Sequence, residues 1–196
     1  MGVRIQRLIR KQEILVLIRY KEVRGALAAH GIIKIYGDVD GSMVNDVVTQ
    51  LSIARANDVT ELDIRIQSNG GNVRAGLDIY DELRAFPAKR CGLVVGYARS
   101  MGAIMLQACE ERRAMRHARI LIHYVARDEV SLSHLKDPER LALMVKEAER
   151  EQSYINAILH RRTGKSIEEI QEACGRDIDM MTDEAKDFGL IDEIID

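Results

Sequence analysis

Short runs rich in β-branched residues recur along the chain, and between them the apolar positions fall three and four apart. Ile32–Tyr36 (IIKIY) is such a run, ended by Gly37-Asp38. From Met43 to Asn57, Val44, Val47, Val48, Leu51 and Ala54 hold helical spacing. Leu62–Gln67 (LDIRIQ) alternates and predicts a second strand, and Ser68-Asn69-Gly70-Gly71-Asn72 predicts a glycine turn. Val73, Leu77, Tyr80 and Leu83 then share one helical face, with Pro87 just beyond its end. Leu93–Tyr97 predicts a buried strand, Ile104–Glu110 a helix, and Arg119–His123 (RILIH) another strand.

The second half is dominated by one long helix. Asp137 as N-cap and Pro138 at the first helical position start it, and Gly164 ends it. Leu141, Val145, Ala148, Ile155 and Ile158 or Leu159 are its expected inward residues. Residues 124–136, before it, show no period and predict an irregular arm. A short helix over Ile167–Ala173, a helix over Thr182–Phe188 stopped by Gly189, and a strand over Leu190–Ile195 complete the pattern. Strands alternating with helices predict an α/β fold with parallel strands covered by helices.

Residues 1–30 fit this pattern least. Seven Lys and Arg surround the apolar cluster Ile14–Ile18 with only Glu13 and Glu22 opposing them, which leaves an amphipathic helix, a strand with basic flanks, or an extension open. We therefore divide the chain into an N-terminal segment, 1–30, and a single domain, 31–196.

Composition narrows the class. Of the 196 residues, 46% are hydrophobic and 31% charged, values of a globular domain with one sizeable core. Aromatics are 4% with no Trp, so that core must be aliphatic. A net charge of −2 gives no footprint for nucleic acid or an anionic membrane surface. The apolar runs are too short to cross a bilayer. Cys91, Cys109 and Cys174 are scattered and lack CxxC spacing, which argues against zinc or a disulfide framework and for reduced thiols in the cytoplasm. No metal or cofactor is expected.

Three features fall where strands end: the Gly70-Gly71 turn, Ser100 and His123. In a parallel α/β fold, such ends gather on one edge and form the site. Taken locally, Ser100 opening a helix reads first as an N-cap. Serine is a weak nucleophile until a base takes its proton, histidine has the pKa for that work, and a carboxylate fixes the imidazole. The tetrahedral oxyanion then requires N–H donors, which Gly71 and Met101 can offer.

The ordered motifs Gln67–Gly71, Ala75–Asp81, Ala98–Ala103, Arg119–His123, Thr163–Lys165, Arg176-Asp177 and Glu184–Asp192 resemble the proteolytic subunit of the Clp protease over about residues 30–195. The resemblance implies a ClpP/crotonase-like spiral of parallel β-turns with a protruding strand–helix handle. It implies a serine endopeptidase with Ser100 as nucleophile, His123 as base and Asp177 orienting it, and with Gly71 and Met101 as oxyanion donors. Asp179, two residues on, competes for the role of Asp177. The resemblance further implies polypeptide substrates, a homo-oligomer of two stacked heptameric rings, and an AAA+ ATP-dependent unfoldase as partner. The chain departs from the family at Asn69, where proline is usual, and at Tyr124-Val125, where Gln-Pro is common. Two other readings compete. One is a crotonase-like acyl-CoA enzyme using Glu110 or Glu111; the other is a catalytically silent ring subunit.

Overall fold

The computed structural model describes residues 19–126 and 131–196, so the expectations for residues 1–18 and for the 127–130 part of the arm lie outside the described residues. Residues 19–29 form helix α1. Ala28 is buried on its inner face, while Tyr20 and Val23 are exposed. Buried Arg24 ties α1 to its neighbours, donating to the Lys34 carbonyl and pairing with Asp46 at 2.6 Å.

The chain then runs β1 (Ile32–Val39), α2 (Gly41–Ala56), β2 (Glu61–Gly71), α3 (Val73–Ala85) and β3 (Lys89–Arg99). It continues through α4 (Met101–Leu106), β4 (Glu111–Met115), β5 (Arg119–Leu121), α5 (Leu132–Leu135) and α6 (Pro138–Thr163). Last come α7 (Ile167–Arg176), β6 (Met180–Met181), α8 (Thr182–Phe188) and β7 (Glu193–Ile195). The strands are in order β1-β2-β3-β4-β7, all parallel, and β5 pairs with β3 on one side and antiparallel to β6 on the other. This is the expected mixed α/β fold with a mostly parallel sheet.

The core is aliphatic, as the composition requires. Ile33 and Ile35 of β1 and Leu62, Ile64 and Ile66 of β2 alternate into it, each fully buried. β3 distributes the sheet. Its first part, Cys91–Val94, pairs with β4, and its end, Tyr97–Arg99, pairs with β5. Between the pairs Ile66–Val94 and Ser68–Ala98, β3 uses four residues where β2 uses two. That bulge turns the end of β3 toward β5.

Several boundaries differ from expectation. Ser68–Gly71 is not a turn but the end of β2, and Asn72 caps α3 by accepting from the Ala75 N–H at 2.9 Å. The helix expected over Ile104–Glu110 is α4, which starts at Met101 and stops at Leu106, and β4 follows where no strand is expected. The reason is Arg112, which occupies an inward position of β4 where an apolar residue would signal a strand. Its guanidinium is buried and satisfied, donating to the Asp192 carboxylate, to Gln107 Oε1 at 2.7 Å and to the Gly189 carbonyl at 2.7 Å. Burial alone would push the Asp192 carboxyl up, but its bonds from the Arg112 side chain and backbone, with the Arg112 charge, hold it below the usual range. A depressed folded pKa contributes stability above the unfolded value of about 3.9, lost as pH falls through the lower folded value. Asp192→Asn is accordingly expected to cost about 1.5–3 kcal/mol at neutral pH and to flatten the acid limb of a Tm–pH curve.

α6 begins and ends as expected. Asp137 accepts from the Arg140 N–H at 3.1 Å, and Gly164 stops the helix at φ 72°. Only its C-terminal half is core, through Ile155, Ile158 and Leu159. Contrary to expectation Val145 is exposed, as is Leu143, at 49% and 64%. Among the described residues, no helix is long and apolar enough to cross a membrane.

Candidate active site

Three strand ends converge on one cavity of about 310 Å³, lined by Gly70, Gly71, Ser100, Met101 and His123 among others. Ile104, Ile122 and Ile155 form its apolar wall, and Asp38 contributes a carboxylate that sequence reasoning did not single out. The parallel register produces the convergence. Asp38 pairs with Gly70 across β1 and β2, and Arg99 pairs with Leu121 across β3 and β5, so the residues that follow leave the sheet at one edge.

Ser100 links β3 to α4 with φ 51° and ψ −123°, outside both the helical and the extended regions. A non-glycine residue held there costs about 1–3 kcal/mol. Its backbone N–H donates to the Leu121 carbonyl at 2.9 Å, and its own carbonyl accepts from Ala103 and Ile104. The cap expected of its side chain is not made: no backbone N–H of α4 donates to the hydroxyl. The strained turn therefore directs a half-buried hydroxyl to the cavity rather than to the helix.

The two candidate oxyanion donors, Gly71 and Met101, line the same cavity. Met101 is the first residue of α4, where an N–H has no partner within the helix. Gly70 fits against this corner so closely that a Cβ on it would stand 2.6 Å from the Ser100 Cβ and 3.0 Å from the Met101 nitrogen. The end of β2 is itself locked. Ser68, fully buried, donates through its hydroxyl to the Gly37 carbonyl at 2.6 Å and accepts from the Gly70 N–H at 3.1 Å. The Gly70 N–H is thereby committed to the Ser68 hydroxyl.

His123 follows β5 by two residues, half-buried at the cavity wall. Asp177 does not line the cavity. It is exposed at the end of α7 in a left-handed conformation, φ 48° and ψ 44°. The antiparallel pairs Arg119–Met181 and Ile120–Met180, carried on by one residue, set Leu121 opposite Asp179. The Tyr124 ring, next to His123, lies 3.7 Å from where a Cβ on Gly175 would stand, so the two segments run side by side. Among the described residues no hydrogen bond joins Ser100, His123 and Asp177; in many enzymes such bonds tighten only once substrate is bound.

Asp179 is otherwise engaged. It accepts from Arg99 Nε and Nη2 at 2.7 and 2.6 Å, and this bonding holds its carboxyl below the usual carboxylate range. The acids of the crotonase-like reading stand at the other end of the sheet. Glu110 pairs with Arg90, and Glu111 with Lys89 at 2.5 Å, beside the start of β3. The signal that could have revealed Arg99 was its place directly before the serine.

A family model described as Clp protease matches residues 17–196. That span takes in every strand, the Ser100 corner and all the residues gathered at its cavity, and the chain belongs to the Clp protease family.

Proposed function

We propose that this chain is a serine endopeptidase of the Clp proteolytic-subunit type, with Ser100, His123 and Asp177 as its triad. Family membership supports the coarser part, a peptidase that hydrolyses peptide bonds. One observation carries the finer part: Ser100 is held in a strained corner, uncapped, on the same cavity as His123.

In this reading His123 takes the Ser100 proton as the hydroxyl oxygen attacks the scissile carbonyl carbon. The Gly71 and Met101 N–H groups stabilise the oxyanion, a contribution of roughly 3–4 kcal/mol for one donor. Collapse returns the proton from His123 to the departing amine and leaves an ester on Ser100. Water, deprotonated by His123, then releases the acid. Asp177, its carboxylate without a hydrogen bond among the described residues, is available to orient His123 and stabilise the imidazolium.

The peptidase domain spans residues 31–196, with 1–30 as an N-terminal segment. It works in the cytoplasm within two stacked heptameric rings fed by an AAA+ unfoldase. The assembly is supported by the arm and the first half of α6. Leu135, Leu143 and Val145 are 56%, 64% and 49% exposed, apolar side chains that a neighbouring subunit would cover. The test combines a fluorophosphonate probe with native mass spectrometry. Labelling is expected at Ser100 alone, on a particle of many subunits. An unlabelled assembled particle would overturn the peptidase, and a monomer or dimer would overturn the ring.

A further inference from the structure

Arg99 has no part in the scheme above, yet it joins the segments that carry the scheme's groups. Its Nε and Nη2 donate to both oxygens of Asp179, and its Nη1 donates to Asn69 Oδ1 at 3.0 Å. Strand register explains the reach. Arg99 pairs with Leu121 across β3 and β5. The β5–β6 register, carried one residue past Ile120–Met180, places Asp179 on the far side of Leu121. The guanidinium thus spans the whole width of β5. Beside each end of this link stands a site residue: Ser100 next to Arg99, Gly70 and Gly71 after Asn69, Asp177 two residues before Asp179. His123 lies two residues past Leu121, inside the frame the link closes.

We propose that the Arg99–Asp179–Asn69 linkage is the positioning device that sets Asp177 and His123 against Ser100 and its oxyanion donors. This inference rests on the triad reading above.

The chemistry suits a clamp rather than an incidental surface pair. A guanidinium meeting a carboxylate through two bonds fixes orientation as well as distance, which a lysine ammonium cannot do. The third bond, to Asn69, restrains a strand end that carries no proline at that place. The cation also lies over the Tyr97 ring, 5.3 Å from its centre. On the acidic side, the tie restrains a chain that has just passed through left-handed Asp177, a conformation that persists only where the surroundings enforce it. Both partners are shifted toward their charged forms, the Asp179 carboxyl downward and the Arg99 guanidinium upward, each first through their mutual hydrogen bonding. The link is therefore intact at neutral pH.

The test uses the full chain in its native assembly and a fluorogenic peptide, with Arg99→Lys, Asp179→Asn, their combination, and Asp177→Asn. Misplacing a catalytic group by about 1 Å costs about 100-fold. Arg99→Lys and Asp179→Asn are each expected to lower kcat about 10–100-fold with KM within about twofold and Tm near that of the parent. The double variant should be no slower than the slower single, since both remove one linkage. Fluorophosphonate labelling of Ser100 should slow in step with kcat. Arg99→Lys retains the charge and the stem, so a merely structural role would leave kcat unmoved; that result, in an active parent, overturns the clamp alone. Losses that multiply in the double variant, or that vanish when the temperature is lowered below a reduced Tm, overturn it as well. If Asp179→Asn matches Asp177→Asn while Arg99→Lys loses nothing, Asp179 itself orients His123 and the clamp fails. A parent that neither cleaves nor labels overturns the triad reading and the clamp together.

Discussion

Ser100→Ala is expected to abolish peptide cleavage, lowering kcat by about six orders of magnitude, while the folded chain and its assembly are unchanged. The two halves have separate causes. The hydroxyl is the attacking atom in the proposed scheme, and no other side chain on the cavity can replace it. Yet among the described residues its hydroxyl makes no hydrogen bond, so its loss leaves no donor or acceptor orphaned. Alanine keeps the Cβ and hence the same backbone strain at φ 51°. Ser100→Gly removes that strain as well and is expected to be inactive but more stable, by about 1 kcal/mol. An active Ser100→Ala enzyme would sink the nucleophile assignment. A Ser100→Ala variant with a much lower denaturation midpoint would mean that the hydroxyl serves the helix after all.

Gly70→Ala is expected to have the largest effect on stability and to lower activity with it. The added Cβ would stand 2.6 Å from the Ser100 Cβ and 2.9 Å from the Arg99 carbonyl oxygen, and the backbone there has φ +92°. Neither neighbour is the flexible end of a side chain, so the strand end and the serine corner must separate. Overpacking of this kind costs about 1–3 kcal/mol, and the left-handed backbone adds about 1–2 kcal/mol. Because the corner itself moves, Ser100 labelling by a fluorophosphonate should fall about 100-fold or more. Gly37→Ala is the control. It too has a positive φ, +103°, but a Cβ there meets nothing within 4 Å. It should lose only the backbone part, about 1–2 kcal/mol, and retain labelling. Denaturant midpoints at a constant m-value separate the two; equal losses in both variants would refute the steric account.

Much of the architecture was legible because it rests on local rules. Asp137-Pro138 and Gly164 bound α6 by capping and by a left-handed stop, both properties of individual residues. The apolar runs of β1 and β2 were visible because their inward residues are isoleucine and leucine. β4 was not, since its inward Arg112 is tolerated only through Asp192, Gln107 and Gly189, the first of them 80 positions away. The outward character of Val145 was equally hidden, because helical spacing records which residues share a face and not whether anything covers it.

At the site the division is the same. The residue types and their order along the chain, Gly71, Ser100, Met101, His123 and Asp177, are a property of the sequence, and they suffice to suggest acyl transfer. Whether Ser100 caps its helix or faces a cavity is not a local matter. Its φ of 51° is imposed by the Leu121 carbonyl that holds its N–H and by Gly70 packed against its Cβ, contacts made by strands β5 and β2. The engagement of Asp179 by Arg99, beside an Asp177 that makes no hydrogen bond among the described residues, likewise depends on side chains 80 positions apart meeting across β5. The sequence by itself determined which groups are present and which segments carry them. Only the tertiary structure decided which of them are committed to holding the fold, because a hydrogen bond between distant strands has no counterpart in the spacing of residues along the chain.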